Sequence, residues 1–318
     1  MKEFDDAAAT KARNRQAELT KPPGSLGRLE TLAEFMAGWQ GNARPRIDRA
    51  QALVFAGNHG ITAQGVNPFP PEVTAQMVAN FEAGGAAINQ LCRVAGADLS
   101  VVAMDLDRPT ADFTQGMALE VPDLVASIQT GKDAVDPDAD ILLLGEMGIG
   151  NSTVAAALAA ATFGGTAADW VGPGTGADEA IMQRKIAAVD AGLKRHKGAA
   201  SAASILGSYG GREQAAICGA VIRARELGIP VILDGFICCA AAGVLMVNDR
   251  NALDHCLIGH ASAEPGHRRL IAVLKKEPVV GLDMRLGEGT GAAVALLILR
   301  AALECHNGMA TFAEAGIG

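Results

Sequence analysis

The chain has 318 residues, 49% of them hydrophobic, and a formal net charge of −8. This length can bury one large domain or two smaller ones, and the acidic balance argues against nucleic acid as the main partner. Apolar runs break well before the roughly 18 residues of a membrane-spanning helix, and residues 1–6 are charged, unlike a signal peptide. The six cysteines form no C-x-x-C pair, which is typical of small buried side chains in a reducing compartment. We expect a cytoplasmic globular protein without membrane partners.

Short apolar runs alternate with alanine-rich segments of helical periodicity, which predicts an α/β fold with a parallel, Rossmann-like sheet flanked by helices. In chain order, the predicted strands are residues 52–55, 99–103, 141–144, 231–233 and 256–258. Ligands of such sheets bind beyond the carboxyl ends of the strands. The polar residues that follow the runs are therefore candidates for chemistry: Asn58, His59, Asp105, Glu146, Asp234 and His260.

The two ends of the chain predict a small helical unit of their own. Residues 7–40 have a helical pattern that prolines and glycines interrupt at 21–28, and residues 291–305 form an apolar helix. We expect residues 1–45 and 292–318 to pack together as a helical subdomain. Residues 46–291 would then form the large α/β domain.

A glycine-rich loop follows the third predicted strand and leads into an alanine-rich helix. Its spacing resembles a P-loop, except that Asn151 stands where a P-loop has lysine. Backbone N–H groups at a helix N-terminus bind phosphate, so Gly148 and Gly150 are predicted phosphate-binding residues for something other than a nucleoside triphosphate. Glu146 in the same loop is unfavourable beside an anion and indicates a second task.

A second glycine-rich turn, Gly174-Thr175-Gly176, precedes another predicted helix, which Asp178 would cap. Lys185 lies two turns into that helix. A helix N-terminus together with one lysine would complete a monophosphate site. The alternative is an ordinary turn and a solvated lysine.

A stiff loop with three prolines at residues 68–71 leads into a further predicted helix. Phe69, Gln76 and Met77 are candidates for a flat apolar pocket, and the alternative is that they belong to the core. His59, just before this region, either serves the site or caps a turn.

Two histidines and a glutamate, His260, Glu264 and His267, lie within eight residues. Their spacing matches no common zinc pattern, and Pro265 interrupts any helix that would align them. Hydrogen bonding at a strand end or a subunit contact is the expected role, and we predict no metal. Asp234 is expected to orient neighbouring loops.

The C-terminal residues 312–318 are unusually apolar and contain one carboxylate, Glu314. A frayed tail is the ordinary interpretation. Burial against apolar surface would instead raise the pKa of Glu314 and make it a better proton acceptor near neutral pH.

Several motifs together resemble one family, nicotinate-nucleotide–dimethylbenzimidazole phosphoribosyltransferase. They are residues 71–81, 84–89, 145–153, 174–176, 285–292 and 314–316. The resemblance runs from about residue 20 to the C-terminus, whereas residues 104–130 match the family poorly and look shortened. It implies a homodimer whose subunit has an α/β domain and a small helical domain built from both termini.

The resemblance also implies a reaction. A nitrogen of 5,6-dimethylbenzimidazole attacks C1′ of nicotinate mononucleotide, nicotinate leaves, and α-ribazole 5′-phosphate forms for the lower ligand of cobalamin. The leaving pyridinium loses its positive charge as the bond breaks, so neither a metal nor another cofactor is implied. Positioning the two substrates supplies much of the rate.

By matching motif, the resemblance makes Glu314 the general base, and it places Glu146 near the ribose hydroxyls or the charge that develops at C1′. It assigns the nucleotide phosphate to Gly174, Thr175, Gly176 and Lys185, with backbone help from Gly148 and Gly150. It points to Phe69, Gln76 and Met77 for the benzimidazole slot.

Two other functions remain open at this stage. One is a nucleotide sensor that kept the fold and lost the chemistry. The other is an enzyme that hydrolyses a phosphorylated ribose instead of transferring it. The preferred aromatic acceptor is also open, because one methyl group in a pocket changes affinity by only about 1–3 kcal/mol.

Overall fold

The computed structural model describes residues 1–317 and has a single six-stranded sheet in which every pairing is parallel. The strands are β1 (Ala50–Ala56), β2 (Ala97–Ala103), β3 (Ile141–Met147), β4 (Val231–Leu233), β5 (Cys256–His260) and β6 (Pro278–Val280), in the order β2-β1-β3-β4-β5-β6. All five predicted strands are confirmed. The sixth was missed because it is a three-residue edge strand that begins with proline, which sheets tolerate only at such positions.

The central strand β3 is apolar from Ile141 to Leu144 because both of its faces are covered there. Leu142 and Leu144 point into one hydrophobic core, and Ile141 and Leu143 point into the other. Successive side chains of a strand alternate between the two faces, so a stretch covered on both sides favours apolar residues at every position. This confirms the expected α/β class.

Fourteen α-helices connect and flank the strands of the described chain. They are α1 (Asp6–Glu18), α2 (Arg28–Gln40), α3 (Glu72–Glu82), α4 (Ala87–Ala95), α5 (Val121–Asp133), α6 (Asn151–Phe163), α7 (Ala167–Trp170), α8 (Glu179–Arg195), α9 (Ala202–Tyr209), α10 (Arg212–Leu227), α11 (Phe236–Gly243), α12 (Pro265–Leu274), α13 (Thr290–Gly308) and α14 (Phe312–Ala315). Within residues 1–317, none of them has the length and apolar character needed to cross a bilayer.

The helices form a layer on each face of the sheet. Helices α5, α6, α10 and α11 contribute to the core on one side. Helices α2, α4 and α13 contribute to the core on the other. This arrangement leaves the carboxyl edge of the sheet to loops, which is where such folds bind ligands.

The two ends of the chain are in contact. Arg15 Nε donates a hydrogen bond to the His306 carbonyl at 2.9 Å, and Leu19 pairs with Thr311 in an antiparallel bridge. Helix α13 packs both on α2 and on the sheet, since Leu296 and Leu299 share a core with the strands. The division at residues 45 and 292 stays a prediction, and Gly318, the last residue of the predicted subdomain, lies outside the described residues.

The order of the strands places a topological switch beside β3. From β1 the chain goes outward to β2 and then returns to the other side of β1 as β3. Ligands of such sheets bind near a switch of this kind. A cleft lies beside it at the carboxyl ends of β3, β4 and β5, where Met147, Asp234 and His260 line it.

Candidate active site

A cleft lies at the carboxyl ends of β3, β4 and β5. Four carboxyl side chains line it: Glu146, Asp234, Glu264 and Glu288. We call Glu146, Asp234 and Glu288 the floor of the cleft and the turn at Gly174 and Thr175 its wall. Six separate parts of the chain contribute to the lining, so the cleft is a tertiary feature and not a single motif.

Glu146 lies on a strand and not in the loop that the sequence predicted. Strand β3 continues to Met147, and Glu146 is in register with Phe55 of β1. The side chain is buried, and Asn151 Nδ2 donates a short hydrogen bond to its Oε2. Asn151, which replaces the lysine of a P-loop, thus serves the carboxyl group and not a phosphate.

Glu288 reaches the cleft because its loop crosses directly over β3. A β-carbon on Gly145 would lie 2.5 Å from the Gly289 nitrogen, and one on Gly287 would lie 2.6 Å from Glu146 Oε1. Glu288 itself has φ +63°, a strained conformation for a residue with a side chain and one that tends to occur at functional sites. Its Oε2 is buried without a hydrogen-bond partner among residues 1–317.

The sequence analysis missed Glu288 as a site residue. Its motif, residues 285–292, was recognised, but the carboxylate between two glycines was not singled out. That pattern was the available signal. A charged residue between two glycines, directly before a helix, is typical of a segment whose backbone adopts an unusual conformation. Such a segment can hold the charged side chain in a fixed direction.

Asp234 secures the loop that carries Glu288. Its two carboxyl oxygens accept hydrogen bonds from the backbone N–H groups of Gly289 at 3.1 Å and Ala292 at 3.0 Å. These groups belong to the first turn of α13, where unpaired N–H groups favour a negative charge. His260 Nε2 lies 3.7 Å from Asp234 Oδ1. The expectation that Asp234 orients neighbouring loops is confirmed.

The three carboxyl groups hold their protons unusually tightly. Burial, followed by the nearby Asp234 carboxylate, raises the pKa of Glu146 to about 8. Burial raises the pKa of Asp234 to about 7 in spite of its backbone hydrogen bonds, and it does the same for Glu288, with Asp234 adding to the rise. The floor of the cleft is therefore able to accept and release protons near neutral pH.

Lys185 stands directly behind the wall of the cleft that Gly174 forms. Its Nζ donates to Ser152 Oγ at 3.1 Å and to the Gly172 carbonyl at 2.6 Å. Ser152 and Gly174 line the cleft, whereas Lys185 is 1% exposed. Burial lowers the pKa of this lysine to about 8, and Glu264 partly offsets the effect.

The predicted phosphate residues divide into two groups. Gly148, Gly174 and Thr175 line the cleft. Gly150 lies outside it against Thr62, with φ +92° at the start of α6, and Gly176 does not line it either. Asp178 accepts a hydrogen bond from the Ile181 N–H, so the predicted cap of α8 is confirmed.

The three residues predicted for the aromatic slot do not line the cleft of this single chain. Phe69 is 46% exposed in a neighbouring shallow depression, which shares Asn67 with the cleft. Gln76 is exposed on α3, and Met77 is half-buried against the core. Their role in binding a base stays a prediction.

The environment expected for Glu314 is wrong for this chain. Glu314 is exposed on the four-residue helix α14 and lies outside the cleft. Its Oε2 accepts a 2.7 Å hydrogen bond from the Thr311 N–H, and this contact holds its pKa below the usual value. The apolar tail residues do not enclose the carboxylate, since Phe312 and Ile317 are themselves exposed.

Of the two histidines near β5, His267 forms the expected hydrogen bond, whereas His260 Nδ1 is buried without a partner among residues 1–317. His267 Nδ1 lies 2.9 Å from Ser262 Oγ, and burial lowers the pKa of His267 and His260. Among residues 1–317, no group of three or more His, Cys, Asp or Glu side chains is arranged to hold a metal ion.

Comparison with known proteins identifies the family. A sequence model described as "Phosphoribosyltransferase" matches residues 1–317. A Rhodobacter capsulatus protein named nicotinate-nucleotide–dimethylbenzimidazole phosphoribosyltransferase is 61% identical over 313 residues, which are 98% of this chain and 93% of that protein. The chain belongs to this family.

Other members of the phosphoribosyltransferase family agree with this assignment. The Cereibacter sphaeroides protein of the same name is 57% identical over 314 residues, 98% of this chain and 93% of its own length. The crystal structure of the Thermus thermophilus enzyme of that name superposes with a TM-score of 0.92 at 37% identity and covers 99% of both chains. The expected family and fold are thus confirmed.

We expect the free energy of unfolding of this phosphoribosyltransferase to fall by about 2 kcal/mol as the pH rises from 6.5 to 8. In that window the raised pKa values of Glu146, Asp234 and Glu288 let the folded chain keep protons that the unfolded chain has released. Below pH 6.5, buried His260 and His267 have lowered pKa values and act in the opposite direction.

Urea unfolding at several pH values measures this slope. The variant Glu146→Gln removes one titrating group and should show a shallower decline. An unchanged slope in that variant would contradict the proton uptake assigned to Glu146.

Proposed function

We propose that this chain transfers the phosphoribosyl group of nicotinate mononucleotide to 5,6-dimethylbenzimidazole and releases nicotinate and α-ribazole 5′-phosphate. One observation carries the proposal. A single cleft combines a floor of three buried carboxyl groups with a backbone turn that Arg285 contacts and Lys185 backs, and Glu264 lies near this lysine. A nucleotide with a cationic pyridinium ring and an anionic phosphate has the complementary charges.

The phosphate is proposed to bind at the wall formed by Gly174 and Thr175. Ser152 and Gly148 line the same region, and Lys185 Nζ contacts Ser152 from behind. A bound phosphate dianion would stabilise the protonated lysine and raise its lowered pKa again. Gly150 and Gly176 would act by shaping the two turns, since they do not line the cleft.

The ribose and the pyridinium ring are proposed to lie over the carboxyl floor. A positive ring above Glu146 and Glu288 would lower the pKa of both groups and favour their ionised forms. As the C1′–N bond to nicotinate breaks, its electron pair neutralises the pyridinium. With Asn151 holding one of its oxygens, Glu146 is placed to bind a ribose hydroxyl or to stabilise positive charge at C1′.

Glu288 is proposed as the general base. In the step, the unprotonated nitrogen of dimethylbenzimidazole forms the new bond to C1′, and the proton on its other nitrogen moves to the Glu288 carboxylate. A base must lie within reach of the proton that it abstracts. Glu288 lines the cleft with one carboxyl oxygen free of hydrogen bonds among the described residues, whereas Glu314 does not line it.

The acceptor ring is proposed to enter beside Leu286, which lines the cleft and is 50% exposed. Met147 adds apolar surface on the same side. Phe69 and Gln76 remain proposals for the outer part of the slot, because the shallow depression around Phe69 adjoins the cleft at Asn67.

The chain is expected to transfer rather than hydrolyse. With nicotinate mononucleotide and dimethylbenzimidazole together, liquid chromatography should detect nicotinate and α-ribazole 5′-phosphate in equal amounts. Omission of the acceptor should slow nicotinate release by about 100-fold or more, because the positioned nucleophile is then absent. Equal release with and without acceptor would indicate hydrolysis, and nucleotide binding without any product would indicate a sensor.

Replacing Glu288 should remove the base. We expect Glu288→Gln to lower kcat/KM by about 100-fold or more, the usual contribution of general base catalysis. In the wild type, kcat/KM should rise with pH through the Glu288 pKa of about 7, and this rise should be absent in the variant.

Glu314→Gln is the matched control, because it makes the same chemical change at the other candidate carboxylate. It should keep kcat/KM within about twofold of wild type, as expected for an exposed position. If Glu314→Gln loses turnover and Glu288→Gln keeps it, the base is Glu314, supplied to the cleft by another subunit.

We also propose a cytoplasmic homodimer. The six cysteines are all free thiols, in keeping with a reducing compartment, and the exposed apolar tail residues Phe312 and Ile317 suit burial against a second copy. Light scattering should give about twice the chain mass of 32.5 kDa. A mass of one chain at assay concentrations would contradict the dimer.

A further inference from the structure

Behind the cleft, a histidine and a glutamate that the proposed reaction does not use lie in contact. His59 Nε2 is 3.0 Å from Glu213 Oε1, and both side chains are 0% exposed. His59 follows β1, and Glu213 lies in the first turn of α10. The polar atoms of both side chains are buried without a well-formed hydrogen bond among the described residues, which is unfavourable and indicates a role beyond packing.

The histidine ring touches the backbone of the cleft from behind. A β-carbon on Gly148 would lie 2.9 Å from His59 Nε2 and 2.5 Å from the Gly57 carbonyl oxygen. Gly148 lines the cleft, whereas His59 does not. The imidazole therefore supports the loop between β3 and α6 from the side opposite the substrate.

Glycines at three positions make room for the pair. A β-carbon on Gly57 would lie 2.5 Å from Glu213 Oε2, and one on Gly211 would overlap both the carboxylate and the His59 ring. With Gly148, these glycines come from the ends of β1 and β3 and the start of α10. Backbone atoms at the ends of three elements thus surround His59 and Glu213.

The two members of the pair connect different elements. Glu213 lies at the N-terminus of α10, where the helix dipole favours a carboxylate. His59 lies between Glu213 and Gly148, and its Nε2 is close to both. The histidine therefore links the start of α10 to the backbone of the cleft.

The neighbouring residue of α10 holds the same loop at a second point. Gln214 Nε2 donates to the Asn151 carbonyl at 3.3 Å, and Asn151 Nδ2 binds Glu146. The start of α10 therefore reaches the turn at Gly148 through His59 and directly contacts Asn151, the residue that orients Glu146.

We propose that His59 and Glu213 are positioning residues that hold the 145–150 loop in its nucleotide-binding shape. The identity of the nucleotide rests on the proposed function. The pair touches no substrate and acts through Gly148.

The test uses the double variant His59→Gln/Glu213→Gln. Two amide groups replace the imidazole and the carboxyl group and keep polar atoms at this buried position. We expect KM for nicotinate mononucleotide to rise about tenfold, as displacement of a substrate-holding loop would produce, while KM for dimethylbenzimidazole and kcat stay within about threefold. Calorimetric titration of the nucleotide should show the same loss of affinity.

The matched control is His255→Gln. His255 is also fully buried, but its Nε2 lies 3.0 Å from the Val221 carbonyl at the other end of the sheet. It should lower the Tm without changing either KM. The single variant Glu213→Gln leaves His59 unpaired and should have a lower Tm than the double variant.

A folded double variant with wild-type nucleotide KM and affinity would overturn the proposal and leave the proposed function intact. The proposal would also be overturned if kcat and the affinities for both substrates fell only as far as the unfolded fraction of the variant explains. The pair would then have a purely structural role. A third outcome separates the two proposals. If the wild type binds the nucleotide tightly and the double variant binds it tenfold more weakly, but the wild type transfers no phosphoribosyl group, only the proposed function is contradicted.

Discussion

The crossing of the 287–289 loop over Gly145 is the contact on which the cleft depends. No side chain fits between the two backbones at this point, and Asp234 fastens the loop through the first turn of α13. The close approach brings Glu288 beside Glu146 and seals both from bulk water. The proximity of these two carboxyl groups, and their raised pKa values, follow from this one packing arrangement.

Burying three carboxyl groups together is unfavourable, and the fold offsets it with neutral donors rather than with cations. Backbone N–H groups of α13 solvate Asp234, and the Asn151 amide solvates Glu146. Neutral donors leave the floor able to attract a cationic ring, whereas an arginine there would neutralise it. The positive charge of the bound pyridinium ring would then offset the negative charge of the ionised carboxyl groups.

Two cations of the site occupy different layers. Arg285 lines the cleft, and its Nη1 donates a hydrogen bond to the Gly174 carbonyl at 3.0 Å, whereas Lys185 lies behind that wall and contacts Ser152 and the Gly172 carbonyl. The buried lysine acts through glycine-rich backbone, which brings its charge close to the cleft without adding its side chain to the lining. A buried cation with fixed partners has few alternative positions, which keeps this part of the lining rigid.

Local sequence determined the elements of this protein. Continuous apolar runs such as Ile141 to Leu144 identified buried parallel strands, the glycine turns located two backbone segments that line the cleft, and the motifs identified the family. Tertiary structure decided which carboxylates meet. Glu288 and Glu146 are 142 positions apart in the sequence, and no local pattern states that their loops cross at Gly145. The apolar neighbours of Glu314 in the sequence favoured a buried carboxylate. Burial, however, depends on what packs against a segment in the folded chain. Among the described residues of this chain, nothing encloses Glu314.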